Sequence, residues 1–184
     1  LAWPLVGGEP LFVSVNVSVR QLRQPGLTAE VAAVLRDTGL PATRLHVELT
    51  ESALLDDQPL ALNTLADLRQ SGIRIWLDDF GTGFSGLSHL RRVPVDGVKI
   101  DRSFTQDLLT DRDDLALTHA IIALATSLGI PAVAEGIESG AQLEVLRNLR
   151  CDLGQGYWFG YPMKQGDLLE VLEQPERVVA GADD

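Results

Sequence analysis

Short apolar segments alternate with helical ones along almost all of this 184-residue chain, and that alternation restricts the folds open to it. Phe12–Val17 (FVSVNV) is alternating and β-branched and reads as a strand. Arg44–Thr50, Ile73–Leu77, Val95–Ile100, Ala132–Glu135 and Asp152–Phe159 continue the series. Between them lie helical segments with start and stop signals. Thr28 is the expected N-cap of a helix to Thr38, stopped by Gly39. Asp57 caps a helix with Pro59 in its first turn and Leu62, Leu65 and Leu68 on one face, ended by Gly72. Leu87–Arg92 reads as a short helix and Asp113–Leu128 as a long one that stops at Gly129. Ser139 and Gln142 have capping-box spacing, and a last helix is expected over Asp167–Leu172. A strand–loop–helix rhythm repeated about six times implies a parallel sheet with helices covering it.

The strand at Ile73–Leu77 ends in two adjacent acids, Asp78 and Asp79, and a loop containing Gly81, Gly83 and Gly86 follows. Two carboxylates leaving a buried strand are costly unless positive charge neutralises them. A divalent cation is the natural partner, because hard cations prefer carboxylate oxygens. Taken alone, the pair could equally be a strand terminus running into a solvated turn.

The other strands share this arrangement. Each stays apolar until its carboxyl end, where Asn16, Glu48, Asp78 with Asp79, Lys99 with Asp101, Glu135 and Gln155 appear in turn. An open doubly wound sheet concentrates its ligand site at one switch point. A parallel barrel draws site residues from several strand ends around one face. The even spread favours a TIM-barrel-like α/β fold. A full barrel runs to about 250 residues in eight units. The chain begins at Leu1 rather than Met, so roughly a quarter of a barrel, its first two units, is expected to lie outside it. Such a gap would leave open sheet edges, which invite self-association, at its simplest a homodimer. Residues 1–175 are expected to form the partial domain and residues 176–184 a disordered tail. Strand alternation puts His46 and Trp76 one layer beneath Glu48 and Asp78, in a packing role.

Net charge is −11. That disfavours nucleic-acid polymers and anionic membranes, which want a basic face. It leaves room for a small anion held through metal ions. Cys151 is the only cysteine, which excludes an internal disulfide and suits a reducing compartment. No apolar run is long enough to span a bilayer, so the expected location is the cytoplasm, or the cytoplasmic part of a membrane-anchored parent. His46, His89 and His119 lack metal-ligand spacing and read as structural or surface residues. Tyr157, Trp158 and Phe159 read as core and rim.

VNVS, ELTES, LDDFGTGFSGLSHL, VKIDRSF, AEGIES and DLGQGYWFG resemble, in order and spacing, the motifs of the EAL-domain family. Its members are cyclic di-GMP phosphodiesterases of bacterial signalling. The likeness runs from about Phe12 to Pro162. The Glu-Ala-Leu signature itself is absent, as is an upstream arginine that helps hold the ligand. Trp76 departs from the pattern, which commonly has a small residue there, and so does Arg150, where glycine often sits.

The resemblance implies hydrolysis of one phosphodiester bond of cyclic di-GMP, to the linear dinucleotide, by a site with two divalent cations, Mg or Mn. It assigns Asn16, Glu48 and Asp78 to one cation together with the absent signature glutamate, and Asp78, Asp79 and Glu135 to the second. Lys99 resembles the lysine beside the attacking water, and Glu51 the glutamate that holds the loop 79–87. Gln155, Glu138 and Asp101 are implied substrate-pocket residues. An upstream sensory or diguanylate-cyclase-like domain is the implied companion. The competing reading is a silent cyclic di-GMP receptor or interaction module. Such members usually lose metal ligands or the DDFGTG loop, and this chain keeps the loop and every implied ligand but the signature glutamate. A Schiff-base enzyme using Lys99 is a third reading, disfavoured because such a lysine should be unpaired, whereas Lys99 sits among acids.

Overall fold

The computed structural model describes residues 9–50, 59–83 and 95–172, together with Leu5–Val6. The expected helix at Leu87–Arg92 with its His89, the cap at Asp57, the loop glutamate Glu51 and the tail at 176–184 lie outside the described residues. The chain divides into two compact units, one built on residues 11–97 and one on residues 98–184, with Pro4–Pro10 grouped with the second. A two-residue antiparallel ladder pairs β1 (Leu5–Val6) with β2 (Glu9–Pro10).

In the first unit, β3 (Val13–Asn16), β4 (Leu45–Thr50) and β5 (Arg74–Phe80) pair in parallel, in chain order. Helices α1 (Val19–Leu22), α2 (Leu27–Thr38) and α3 (Pro59–Gln70) lie between them in sequence. β4 and β5 are buried on both faces: Val47, Leu49, Ile75 and Leu77 on one are each at most 2% exposed, and His46, Glu48 and Trp76 on the other at most 8%. Both faces are covered, as in parallel sheets, although β4 alternates His46 and Glu48 with Val47 and Leu49. α3 buries Ala61, Thr64, Leu65 and Leu68, at the i, i+3, i+4, i+7 spacing of one helix face. α2 starts one residue ahead of the expected cap. Gly26 holds the N-cap position in the left-handed region at φ 95°, and Thr28 lies inside the first turn.

The second unit repeats the scheme, its first strand opening on Gly97, the last residue of the first unit. β6 (Gly97–Ile100), β7 (Ala132–Ala134) and β8 (Leu153–Gly154) pair in parallel, again in chain order. α4 (Arg102–Gln106), α5 (Arg112–Leu128), α6 (Gly140–Asn148) and α7 (Gln165–Leu172) accompany them. α5 is capped by Asp111, whose carboxylate accepts the amides of Asp113 and Asp114, and Gly129 closes it at φ 69°. α6 opens on the expected Ser139–Gln142 capping box. Six described parallel strands, none reversing the chain order within its unit, fit a TIM-barrel-like α/β architecture better than a doubly wound sheet.

Two short helices escaped the sequence reading, each with a polar cap behind it. Ser18 and Gln21 form a capping box on α1, and Asp101 accepts from the amide of Ser103 to open α4. β8 is much shorter than the expected 152–159 strand, because the backbone leaves the ladder after Gly154. At Gly156 any Cβ would lie 2.2 Å from the carbonyl oxygen of Ile137, an approach only glycine allows.

Asp96 ties the end of the first unit together. Its carboxylate accepts the backbone N–H of Ile75 at 2.9 Å and the guanidinium of Arg69 at 3.1–3.3 Å. The Arg69 side chain is 43% exposed and Asp96 17%, so the ion pair is solvent-screened and the amide contact dominates. Asp96→Ala should therefore cost about 1–3 kcal/mol by leaving the Ile75 amide unsatisfied, and Arg69→Ala under about 1 kcal/mol. Urea titrations of the two variants give the comparison; equal losses would contradict it.

Candidate active site

Neighbouring strands are related by a diagonal step. In register, Asn16 faces Glu48 and Glu48 faces Trp76, so Asp78 lies two residues further along β5 than the residue opposite Glu48. In the second unit Lys99 faces Val133, and its ion-pair partner Glu135 also lies two residues further along. Tilted strands of a barrel produce this stagger, because side chains at one height belong to successively later residues.

Asn16 and Glu48 line one cavity of about 520 Å³ with Thr50, Ser18 and Gln21. Asn16 is exposed and Glu48 is buried, 8% accessible. Glu48 comes from the buried stretch of β4, one residue pair before its carboxyl end, so its carboxylate is held where the strand emerges from the core. The backbone of Glu48 accepts the amide of Val17 at 2.9 Å, which fixes the turn that follows Asn16.

Asp78 and Asp79 are half-buried, and their carboxylates offer oxygens within 4.8 Å of each other. Consecutive strand residues normally point to opposite faces. Asp79 breaks that rule by taking a left-handed backbone at φ 54°. The twist brings its carboxylate toward that of Asp78, whose Oδ1 accepts the Asp79 amide at 3.2 Å. A non-glycine residue in this region stores of order 1–3 kcal/mol, less for aspartate, which tolerates it. Thr82 follows, its hydroxyl donating to the Asp79 carbonyl at 2.9 Å and its amide at 3.4 Å. Hard oxygen donors from Asn, Glu and Asp fit Mg²⁺ or Mn²⁺ and offer nothing soft enough to favour thiophilic metals.

In the second unit, Lys99 is 6% exposed and its Nζ lies 2.6 Å from Glu135 Oε1. The diagonal register brings in Glu135. Asp101 is occupied locally, accepting the amide and hydroxyl of Ser103. The Glu135 amide donates to the Ile100 carbonyl at 3.2 Å. Gln155 is exposed, and its backbone ties the neighbouring segments: its amide donates to Ala134 and its carbonyl accepts from Ile137. Glu138 is exposed and its amide donates to the Gln142 side chain at 2.9 Å.

The remaining reactive side chains fall outside this chemistry. Burial, and then the Arg74 guanidinium, hold the His46 imidazole below its usual range, so it is neutral. His119 is exposed on α5. Burial pushes the Cys151 thiol up, which suits a packed thiol rather than a nucleophile. Tyr157 stacks on Tyr161 at 4.5 Å with both rings exposed, and Trp158 is half-buried, as core-and-rim residues should be.

Parallel strands with carboxylates at their ends in one unit and a buried lysine–glutamate pair in the other place the chain among α/β barrel-type domains. The EAL-domain family model matches residues 2–162, and the chain belongs to that family. It is 42% identical over 168 residues to the cyclic di-GMP phosphodiesterase NbdA of Pseudomonas aeruginosa, covering 91% of this chain and 22% of NbdA. The EAL domain of Mycobacterium smegmatis DcpA superposes with a TM-score of 0.85 at 36% identity, covering 92% of this chain and 75% of that one. The phosphodiesterase of Pseudomonas aeruginosa MucR, solved as a cyclic di-GMP complex, superposes at 0.80 with 40% identity, covering 85% and 64%. The chain thus spans about a fifth of the length of the curated relatives it matches.

The Asp79 geometry carries a prediction. Asp79→Gly relieves the left-handed strain and removes the second carboxylate. It should keep or raise the melting temperature while weakening Mn²⁺ affinity by at least about 10-fold. Scanning calorimetry and titration calorimetry read the two effects separately; unchanged Mn²⁺ affinity would show that Asp79 holds no cation.

Proposed function

We propose that this chain is the hydrolytic domain of a metal-dependent cyclic di-GMP phosphodiesterase that opens one phosphodiester bond to give the linear dinucleotide. The observation that carries the reading is the Asp78–Asp79 pair, bent by a left-handed residue so that both carboxylates can serve one cationic centre. Family membership supplies the substrate class.

In this reading Asn16, Glu48 and Asp78 hold one divalent cation, and Asp78, Asp79 and Glu135 a second, each Mg²⁺ or Mn²⁺. When bound, such cations offset the charge of a dianionic ligand and make a water more acidic. Lys99 does the positioning from the protein side. Its ammonium is desolvated and held against the Glu135 carboxylate, so it presents a fixed donor to the attacking water. Glu135 thereby serves two purposes, orienting the lysine and offering its other oxygen to the cation. Glu51 holds the 79–87 loop, and Gln155, Glu138 and Asp101 contact the substrate. An upstream sensory or cyclase-like domain supplies regulation, and a second copy is a partner through the β3 edge. The protein acts in the cytoplasm; among the described residues no helix is long and apolar enough to cross a membrane.

A receptor would bind the dinucleotide and leave it intact. The full-length protein with Mn²⁺ should convert cyclic di-GMP to the linear form, read by chromatography. Asp78→Asn should reduce turnover by at least about 10³-fold with the fold intact, by analogy with other catalytic charge deletions. Binding of cyclic di-GMP without conversion in the wild type would establish the receptor instead. Lys99→Ala should lose turnover and also destabilise by about 1–3 kcal/mol, since it strands the half-buried Glu135 carboxylate. Joining Lys99→Met to Glu135→Gln, which removes the stranded charge, should recover part of the stability and none of the turnover.

A further inference from the structure

Three flat rings lie beneath the acids of the first unit, and the proposed chemistry uses none of them. Phe12 stacks on His46 at 4.0 Å and 16°, and His46 on Trp76 at 5.5 Å and 17°. His46 and Trp76 are each 5% exposed. The stack follows the diagonal step of the strands. Register sets Ser14 and Arg74 opposite His46, so the contacting rings sit two residues apart from those positions.

The stack ends on Gly97. A Cβ there would lie 2.5–2.7 Å from Cζ3, Cε3 and Cη2 of Trp76, closer than carbon atoms can approach. The indole therefore fills the volume that a side chain at 97 would take, and the two positions are matched in size. β6 begins at Gly97 and carries Lys99 two residues on, and Trp76 stands two residues before Asp78 on β5. Strand alternation puts each of these pairs on one face.

Stability alone does not account for this choice of residues. Trp76 Nε1 and His46 Nδ1 are buried with no hydrogen-bond partner among the described residues. Each orphaned group costs free energy that an aliphatic or phenyl side chain of similar volume would not. What a stacked indole provides instead is a rigid plane with few rotamers. Groups that hold metal ligands act through such supports, and small displacements of a ligand are felt strongly in the reaction.

We propose that Trp76, seated on Gly97, is a positioning residue that fixes the Asp78 carboxylate at the end of β5, and that Gly97 is required for this fit. The inference rests on the phosphodiesterase reading for its catalytic consequence, and Mn²⁺ affinity tests it independently of turnover. In the full-length protein, Gly97→Ala should weaken Mn²⁺ binding by about 10-fold or more and lower kcat similarly, with KM nearly unchanged. Trp76→Leu should weaken Mn²⁺ binding about 5-fold by loosening the support. Joining the two should be no worse than Trp76→Leu alone, because the added methyl then has room. That rescue is the signature of a size-matched pair. Mn²⁺ affinity unchanged in both single variants overturns the inference, as does a double variant as impaired as Gly97→Ala. Losses that only track the unfolded fraction, measured by circular dichroism under assay conditions, overturn it too. If Gly97→Ala fails to fold, Trp76→Leu alone decides the matter through its Mn²⁺ affinity. Wild-type protein that binds Mn²⁺ without hydrolysing cyclic di-GMP would sink the phosphodiesterase reading while leaving this one to be judged on affinity.

Discussion

A buried ammonium cannot stand alone, and the Lys99–Glu135 contact answers that constraint. Desolvating Lys99 to 6% exposure costs several kcal/mol unless an anion lies in hydrogen-bond contact, as Glu135 does at 2.6 Å. The pair forms only because β6 and β7 are parallel and in a register that carries Glu135 two residues past the position opposite Lys99. A shift of one residue would turn Lys99 to the other face of its strand. Strand register and the chemistry of the lysine are therefore one requirement. The short apolar strands, with Ile100, Ala132 and Ala134 fully buried, keep that register by excluding every other alignment.

Much of this architecture was legible in the sequence because it follows from period and punctuation. Alternating Phe12–Val17, the Ser139–Gln142 box and the glycine stops at Gly39 and Gly129 each specify a local state that tertiary packing left unchanged. The polar residue at each strand end gave the set of site candidates. What the sequence could not give was lateral. Lys99 has acids near it in sequence, and only register selects Glu135. The bend at Asp79 was also hidden, since nothing in DDFG announces which of the two acids leaves the β region. The short helices α1 and α4 were missed although their caps, Ser18 with Gln21 and Asp101 with Ser103, are visible signals. At 4 and 5 residues they fall below the length at which hydrophobic periodicity registers.

The first unit also presents apolar surface without a described cover. α2 buries no residue, and its Val31, Val34 and Leu35 line a cavity of about 500 Å³ with Val13, Val15 and Leu45. β3 is exposed at every position, unlike β4 and β5. Three-quarters coverage of the DcpA EAL domain shows that a domain of this family has more structure than this chain aligns with. Such a face has the chemistry of a core rather than of a surface, since a helix of this amphipathicity is stable through what it packs against.

Stability and function pull in opposite directions at two points of the first unit, and both lie on β5. Asp79 holds a backbone conformation that glycine would hold at lower cost. Trp76 buries a donor that a phenylalanine would not bring. A strand selected for packing alone would keep neither, because each departure lowers stability in a domain whose total is only some 5–15 kcal/mol. Both departures flank Asp78, the residue on which the cation reading depends. Local rules broken on either side of one carboxylate, within a strand whose other residues obey them, indicate that the geometry of that carboxylate is what the surrounding sequence has been fitted to.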